Sequence, residues 1–186
     1  AYHARFADGT SLDVHSAPEA MVAEISRVCG PEEARRYLRL RAWLADIFDA
    51  EFDRFMDANF DSPLDLVSSP AALRDLARLL RLGGFGRLGA QVNRRITDPR
   101  LRRVFTFQAL YAGVAPARAL AVYGAIAHMD TSLGVYAVDG GMRSVARAMA
   151  AAFVDAGGRL ELGREVTSLD LSGGRVDGVR TRDGER

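Results

Sequence analysis

Apolar residues recur at steps of three and four positions through the middle of the chain, between residues 17 and 130. This spacing places them on one side of a helix and predicts a series of amphipathic helices. Proline suits the first turn of a helix, and it marks predicted starts at Pro18, Pro31, Pro70, Pro99 and Pro116. Asp61-Ser-Pro63 predicts a break after the second helix, and Gly83-Gly84 predicts the end of the third.

Polar and apolar residues alternate near both ends of the chain, which is the pattern of half-buried β-strands. Between Tyr2 and Val14 the alternation is interrupted at Asp8-Gly9, which predicts a β-hairpin with a two-residue turn. A second hairpin is predicted between Val166 and Arg182, around Ser172-Gly173-Gly174. Each end therefore has the pattern of a piece of sheet, and we expect the chain to be an internal part of a longer polypeptide.

A strand, a helix and another strand are predicted in the stretch before the second hairpin. The first strand is Gly134 to Val138, and Asp139 is the expected N-cap of the helix that follows. Gly157-Gly158 predicts the end of this helix, and Arg159 to Leu162 is the second strand. Such a unit builds layered α/β domains.

The order of these elements predicts an α+β fold with three segments. Residues 17–130 form a mainly helical domain inserted between β-strands, with residues 1–16 before it and residues 131–186 after it. The first hairpin and the strands from residue 134 onward are expected to share one sheet layer.

Composition is typical of an ordinary globular protein. The chain has 186 residues, of which 48% are hydrophobic and 26% are charged, and this composition excludes a disordered chain. No apolar run reaches the ~20 residues that span a bilayer. Cys29 is the lone cysteine, which excludes an internal disulfide. All 25 basic residues are arginine, and the net charge is +1.

Arginine is concentrated between Arg74 and Arg103, where nine arginines face only Asp75 and Asp98. One interpretation is peripheral contact with anionic lipid. The apolar residues expected to enter the membrane are Leu79, Leu82, Phe85 and Leu88. The alternative is a solvated basic face paired with the acidic residues Asp46, Asp49, Asp53 and Asp57. Nucleic-acid binding is disfavoured, because no known module is present and aromatic residues do not alternate with the arginines.

Gly84-Phe-Gly86-Arg-Leu-Gly89 has the spacing G-x-G-x-x-G of a dinucleotide-binding loop. That loop requires a preceding buried strand and a carboxylate ~20 residues later, and the sequence predicts neither. We therefore interpret this stretch as a helix stop followed by a flexible loop.

The densest group of aromatic and apolar residues suits either the wall of a hydrocarbon tunnel or a helical core. Its members are Phe105, Phe107, Leu110, Tyr111, Tyr123, Ile126, Met129 and Tyr136. The histidines His3, His15 and His128 are too scattered to predict a metal site. No catalytic motif is found, so the sequence identifies no catalytic residue.

Several motifs resemble those of one enzyme family in both order and spacing. The stretch from Gly134 to Met142, followed by an alanine-rich helix and Gly157 to Val166, resembles the middle of a carotenoid (phytoene) desaturase. These are FAD-dependent oxidoreductases of the amine-oxidase superfamily. The resemblance extends upstream through Thr106 to Gly113 and back to Arg5 to Thr10, and it departs from the family at Ala137-Val138.

The resemblance implies the roles of particular parts of the chain. It makes residues 17–130 the substrate or cap domain and the flanking strands part of an FAD-binding domain. It implies that Val166 offers its backbone to the adenine of FAD and that Gly140 and Gly141 lie near the flavin side of the substrate cavity. The phosphate loop of the family would precede this chain, so the isolated chain is expected to be inactive.

The function implied by the resemblance is the desaturation of a carotenoid-like polyene, a long apolar substrate. It also implies a cytoplasmic enzyme, peripheral on the inner face of the plasma membrane. Two alternatives stay open: another flavoenzyme of the superfamily, of the protoporphyrinogen or amine oxidase type, and a non-catalytic lipid-binding module.

Overall fold

A computed structural model of the chain describes residues 2–52 and 69–184. The predicted break at Asp61-Ser-Pro63 lies outside the described residues. The chain divides into two compact units, Ala1–Val135 and Tyr136–Arg186. Helices and small sheets occur together, as the α+β prediction requires, whereas the three-segment division stays a prediction.

The first unit begins with an antiparallel hairpin formed by β1 (Tyr2–Arg5) and β2 (Ser11–Val14). Leu12 and Val14 point into the core and their neighbours point outward, which confirms the predicted alternation. The loop is one residue longer than predicted, because the N–H of Phe6 donates to the carbonyl of Thr10 and Gly9 takes a positive φ.

Six α-helices of the first unit lie within the described residues. They are α1 (Pro18–Cys29), α2 (Pro31–Glu51), α3 (Pro70–Leu82), α4 (Leu88–Arg95), α5 (Pro99–Val104) and α6 (Gly124–His128). Proline occupies the first turn of the first three and of α5, as predicted. Ser69 Oγ accepts from the N–H of Ala72, and Gly83 ends α3 in the left-handed conformation.

Helix α2 runs through the middle of the core and contacts α1, α3, α4 and α6. Its buried face carries Tyr37, Leu40, Trp43, Leu44 and Ile47. Each such side chain stabilises the fold by about 1.5–3 kcal/mol through removal from water. Trp43 Nε1 also donates a 2.9 Å hydrogen bond to the carbonyl of Leu82, which attaches the end of α3 to α2.

The region after Pro116 differs from the predicted helix. Residues 116–118 form turns, Ala121–Tyr123 is a short 3-10 helix, and α6 begins only at Gly124. The reason is a competing set of hydrogen bonds: Ala121 and Val122 donate their N–H groups to the carbonyls of Gly86 and Gly84. These donors are unavailable to a helix starting at Pro116. The predicted helix at Pro99 also ends early, and Phe107–Ala112 is a 3-10 helix.

The second unit contains α7 (Arg143–Asp155) and a hairpin of β3 (Val166–Ser172) and β4 (Arg175–Thr181). Helix α7 begins after Met142, so Asp139 is not its N-cap, whereas it ends two residues before Gly157, close to the predicted stop.

Two predicted strands are absent from this unit. Gly134 to Val138 and Arg159 to Leu162 are irregular, because no strand among the described residues pairs with them. The two hairpins form separate two-stranded sheets, whereas we expected one layer. In the part of the chain that the structure describes, no helix combines the length and apolar character needed to cross a bilayer.

Candidate functional site

Three aromatic rings from distant positions lie side by side in the first unit, and we call them the aromatic row: Tyr2, Phe107 and Tyr111. The ring centroids of Tyr2 and Phe107 are 5.9 Å apart with planes at 83°. Those of Phe107 and Tyr111 are 5.7 Å apart at 89°. Such edge-to-face pairs contribute about 0.5–1.5 kcal/mol beyond burial. Strand β1 supplies the first ring, and the 3-10 helix supplies the other two.

Asp130 holds one end of the aromatic row in place. Its Oδ2 accepts hydrogen bonds from Gln108 Nε2 and Tyr111 Oη, both at 3.3 Å. Gln108 is fully buried and also donates to the carbonyl of Val104 at 3.0 Å. A buried amide with two acceptors fixes the orientation of the carboxylate. The aromatic row therefore has one charged end and an apolar remainder.

Both phenols at this site stay protonated at neutral pH. Burial, and then the negative charge of Asp130, raise the pKa of Tyr2 well above its usual value. The same two causes raise the pKa of Tyr111. The hydroxyl of Tyr2 is buried and has no hydrogen-bond partner among the described residues. The site thus presents uncharged aromatic rings, and the Tyr2 hydroxyl is available for one further hydrogen bond.

The predicted substrate residues fall into three groups by burial. Phe105 is fully buried and stacks on Tyr37 with centroids 5.6 Å apart, so it is a core residue. Leu110 and Tyr111 are 57% and 62% exposed and lie beside each other at the surface. The half-buried members of the set are Phe107, Tyr123, Ile126 and Met129. Tyr136 belongs to the second unit and is 84% exposed. Their role in substrate binding stays a prediction.

The predicted flavin residues lie in the second unit. Gly140 and Gly141 have φ angles of +73° and +78°, which side-chain-bearing residues rarely adopt, and both are exposed. A Cβ at Gly140 would lie 2.6 Å from Ser144 Oγ, whereas one at Gly141 would meet nothing within 4 Å. Val166 opens β3, which is paired on one edge only among the described residues. The open space at Gly141 and the unpaired edge of β3 fit close approach of a cofactor.

The G-x-G-x-x-G stretch does not form a dinucleotide-binding loop. It follows helix α3 and not a strand, and the N–H groups of Leu88 and Gly89 already donate to the carbonyls of Ala119 and Pro116. Gly83 confirms the predicted helix stop. The loop is hydrogen-bonded to residues 116–122 and leads into α4, a helix that the sequence did not predict.

The arginine-rich segment from Arg74 to Arg103 is partly paired with acidic residues, as the alternative interpretation of a solvated basic face predicted. Arg78 Nη2 lies 2.8 Å from Asp46 Oδ1, whereas Asp53 and Asp57 lie outside the described residues. Leu79 and Leu88 are buried, so they are not the residues that could enter a membrane. The large apolar side chains exposed on and just after α3 are Leu73, Leu80 and Phe85.

Two buried titratable groups were missed by sequence reasoning. Burial raises the pKa of Glu51 to about 7. His128 packs its ring on Phe48 with centroids 5.0 Å apart, and burial together with nearby Arg41 lowers its pKa. The sequence pattern around a single acidic residue in a long helix, or around a single histidine, does not predict that the side chain is buried. Tyr2 was missed as well, because its partner Phe107 is far away along the chain.

Comparison of the sequence with known proteins identifies the family of this chain. Residues 5–186 match the family described as flavin containing amine oxidoreductase. The chain is 55% identical over 181 residues to a phytoene dehydrogenase of Streptomyces griseus, covering 97% of this chain and 35% of that protein. It is 31% identical to a zeta-carotene-forming phytoene desaturase of Myxococcus xanthus, covering 99% and 35%.

A third relative is a hydroxyneurosporene desaturase of Cereibacter sphaeroides, 35% identical over 95% of this chain and 35% of that protein. The chain thus spans about a third of the length of these relatives. The matches confirm the predicted resemblance to carotenoid desaturases, and the family description confirms a flavin cofactor. Since the family match covers nearly every residue, the chain belongs to the flavin containing amine oxidoreductase family.

Proposed function

We propose that the protein is an FAD-dependent oxidoreductase that introduces a double bond into a carotenoid-like polyene. The observation that carries this proposal is the 55% identity to a phytoene dehydrogenase along 97% of the chain. In the reaction a hydride and a proton leave adjacent carbons and a C=C bond forms between them. Bound FAD would accept the hydride, the proton would pass to solvent, and a separate electron acceptor would reoxidise the reduced flavin.

The first unit would supply the wall that contacts the polyene. Residues 17–130 act as the cap domain in this proposal, inserted between parts of the FAD-binding domain. The exposed side chains of Leu110 and Tyr111, next to the half-buried Phe107, present apolar surface without a charged group other than Asp130 at one end. An apolar wall with few polar groups suits a hydrocarbon.

The second unit would contribute to the flavin site. Gly140 and Gly141 keep side chains out of the turn before α7, so the backbone can approach the flavin closely. Val166 would present its backbone to the adenine from the first position of β3. The residues of this chain would thus position the flavin and exclude water. No side chain of this chain is assigned a role in proton transfer.

The experiment that tests the function uses the full-length protein with bound flavin, mixed with phytoene in the absence of oxygen. Loss of the oxidised flavin spectrum together with a new visible polyene absorption is the expected result. Bleaching by protoporphyrinogen or by an amine, without bleaching by phytoene, would favour the other flavoenzyme classes. No bleaching by any of the three would favour a non-catalytic lipid-binding module.

Peripheral contact with the inner face of the plasma membrane, from the cytoplasmic side, is part of the same proposal. It is supported by α3, where Leu73, Ala77 and Leu80 share an exposed face flanked by Arg74 and Arg81. A substrate that dissolves in lipid would reach the protein from that surface.

A further inference from the structure

A cavity of about 440 Å³ lies in the first unit, and no residue of the aromatic row lines it. Arg87, Arg102 and Arg103 contribute its charged wall, and Ala90, Pro116 and Ala117 contribute an apolar wall. Its volume falls within the range of about 300–1,000 Å³ that is typical of small-molecule sites. The cavity is therefore larger than a bare inorganic anion requires.

The three arginines give this cavity an uncompensated positive charge. No acidic side chain is among the described residues that line it. The neighbouring ion pairs use other arginines, with Arg78 paired to Asp46 and Arg100 paired to Asp98, each at 2.8 Å. Three guanidinium groups that share one cavity repel each other, and a bound anion removes that repulsion.

Two of the guanidinium groups are held in position by backbone carbonyls. Arg87 Nη1 donates to the carbonyl of Arg118 at 2.6 Å, and Arg102 Nε donates to the carbonyl of Ile96 at 2.8 Å. Arg102 Nη2 also donates to the carbonyl of Asn93 at 3.5 Å. Both guanidinium groups keep further N–H groups for a ligand, since each carries five. Less side-chain entropy is then lost when an anion binds.

The walls of the cavity are also fixed relative to each other. Leu88 N–H donates to the carbonyl of Ala119 at 2.9 Å, and Gly89 N–H donates to that of Pro116 at 3.2 Å. A Cβ at Gly89 would lie 3.3 Å from the Pro116 oxygen, so glycine allows this close approach. Because these hydrogen bonds use the first N–H groups of α4, a ligand would be bound by side chains and not by a helix terminus.

We propose that this cavity binds the phosphate group of an organic phosphate whose apolar part contacts Ala90, Pro116 and Ala117. Arginine matches phosphate geometry through paired N–H donors, and Asn93 and Thr106 add polar groups to the lining. The proposal goes beyond the desaturation of a polyene, which carries no phosphate. The ligand is either a soluble phosphate ester or the phosphate of a lipid head group, because both present the same chemistry.

The test compares two arginine variants of the full-length protein. Arg103→Gln removes a guanidinium for which no hydrogen bond or ion pair is recorded among the described residues, so the fold is expected to be unaffected. Arg94→Gln is the matched control, because Arg94 lies exposed on α4 and does not line the cavity. Both variants change the net charge equally, which separates a specific site from general electrostatic attraction.

Binding is measured by calorimetry with glycerol 3-phosphate and by flotation with phosphatidylcholine vesicles that contain phosphatidic acid. We expect Arg103→Gln to weaken binding about tenfold and Arg94→Gln to leave it unchanged. If Arg103→Gln weakens binding of glycerol 3-phosphate, the ligand is a soluble phosphate ester. If it weakens binding to the vesicles alone, the ligand is a lipid head group. Absence of binding to both probes, or equal effects of the two variants, would overturn the proposal.

Discussion

Leu110 is the residue at which the proposed substrate wall can be tested with least effect on folding. Its side chain is 57% exposed and lies next to Tyr111 in the 3-10 helix. A charge at this position remains in water in the free protein, so the stability should change little. In a complex with a hydrocarbon, the same charge would lose its water.

We predict that Leu110→Glu raises the KM for the polyene about tenfold or more, because a buried apolar contact is replaced by an unpaired charge. The kcat should change less, since the flavin is untouched. Leu38→Glu on α2 is the control, because Leu38 is similarly exposed and lies outside the proposed wall. Steady-state kinetics of the full-length protein give the answer; equal KM values for the two variants would contradict the proposed wall.

We expect Glu51 to make the stability of the first unit depend on pH. Its side chain is 8% exposed, and burial raises the pKa from 4.5 to about 7. The folded protein therefore holds a proton that the unfolded chain releases between these two pH values. Stability falls as pH rises from about 4.5 to about 7 and is level above that range.

We predict that Glu51→Gln removes this pH dependence and stabilises the protein above pH 7 by up to about 3 kcal/mol, which is the equivalent of the pKa shift. At pH 4.5 the variant and the parent should be nearly equal, because both then carry a neutral side chain. Urea unfolding at a series of pH values measures the difference. A constant difference between the two proteins at all pH values would show that Glu51 is not the titrating group.

At the scale of single residues, the sequence predicted a local cluster of aromatic residues but not their contacts with distant parts of the chain. Phe107 and Tyr111 were found because aromatic residues cluster locally between 105 and 111. The contact between Phe107 and Tyr2 was not predicted, since it joins positions that only the folded chain brings together. Phe105 lies in the core, and its role in substrate binding stays a prediction, because composition alone cannot separate a cavity wall from a core.

The helices whose first-turn proline follows a capping serine or aspartate were predicted to begin at the correct positions. Ser69 and Asp98 accept hydrogen bonds from the N–H groups that begin α3 and α5, as expected for residues before a first-turn proline. Gly134 to Val138 has the apolar character of a strand but is irregular, because a strand is defined by a partner in space. Helix α4 was not predicted, because the glycines around its start are typical of a loop.

Helix α3 is the element through which membrane contact can be tested. Leu73 and Leu80 are 50% and 60% exposed and are seven positions apart, so they lie on one side of the helix. Burial of such a leucine in an acyl layer is worth about 1.5–3 kcal/mol. The adjacent arginines would meet the head groups.

We predict that Leu80→Asp reduces flotation of the full-length protein with anionic vesicles about tenfold or more. Leu38→Asp, an equal charge change at another exposed leucine, should leave flotation unaltered. High salt should weaken binding of both proteins by screening the arginines. If Leu80→Asp floats as well as the control, α3 is not the contact surface.

The two units of the molecule differ in how much of their apolar surface is covered. The first unit has a continuous core built on α2. In the second unit no residue of α7 is buried. Its exposed apolar side chains include Met142, Val145, Met149, Phe153 and Val154. An amphipathic helix with such a face is stable only against a partner.

We predict that the 186-residue chain alone does not retain FAD and does not desaturate phytoene. Gly140, Gly141 and Val166 are all exposed, so the second unit alone encloses no part of a flavin. The measurement is the visible absorption spectrum of the purified chain after FAD is added and then dialysed away, with full-length protein as the control. Flavin absorption that persists would show that this chain contains a working cofactor site.

The edge-to-face contact between Tyr2 and Phe107 also means that the N-terminal hairpin must wait for a later part of the chain during translation. The two rings are 105 positions apart, so the ribosome needs roughly 5–20 s, at about 5–20 residues per second, to add the second ring after the first. Throughout that interval the hairpin lacks its contact with Phe107, whereas α1, which packs against β2, has already been synthesised. Its unpaired strand edges are thus available to chaperones, and to neighbouring nascent chains, until the segment that carries Phe107 is added.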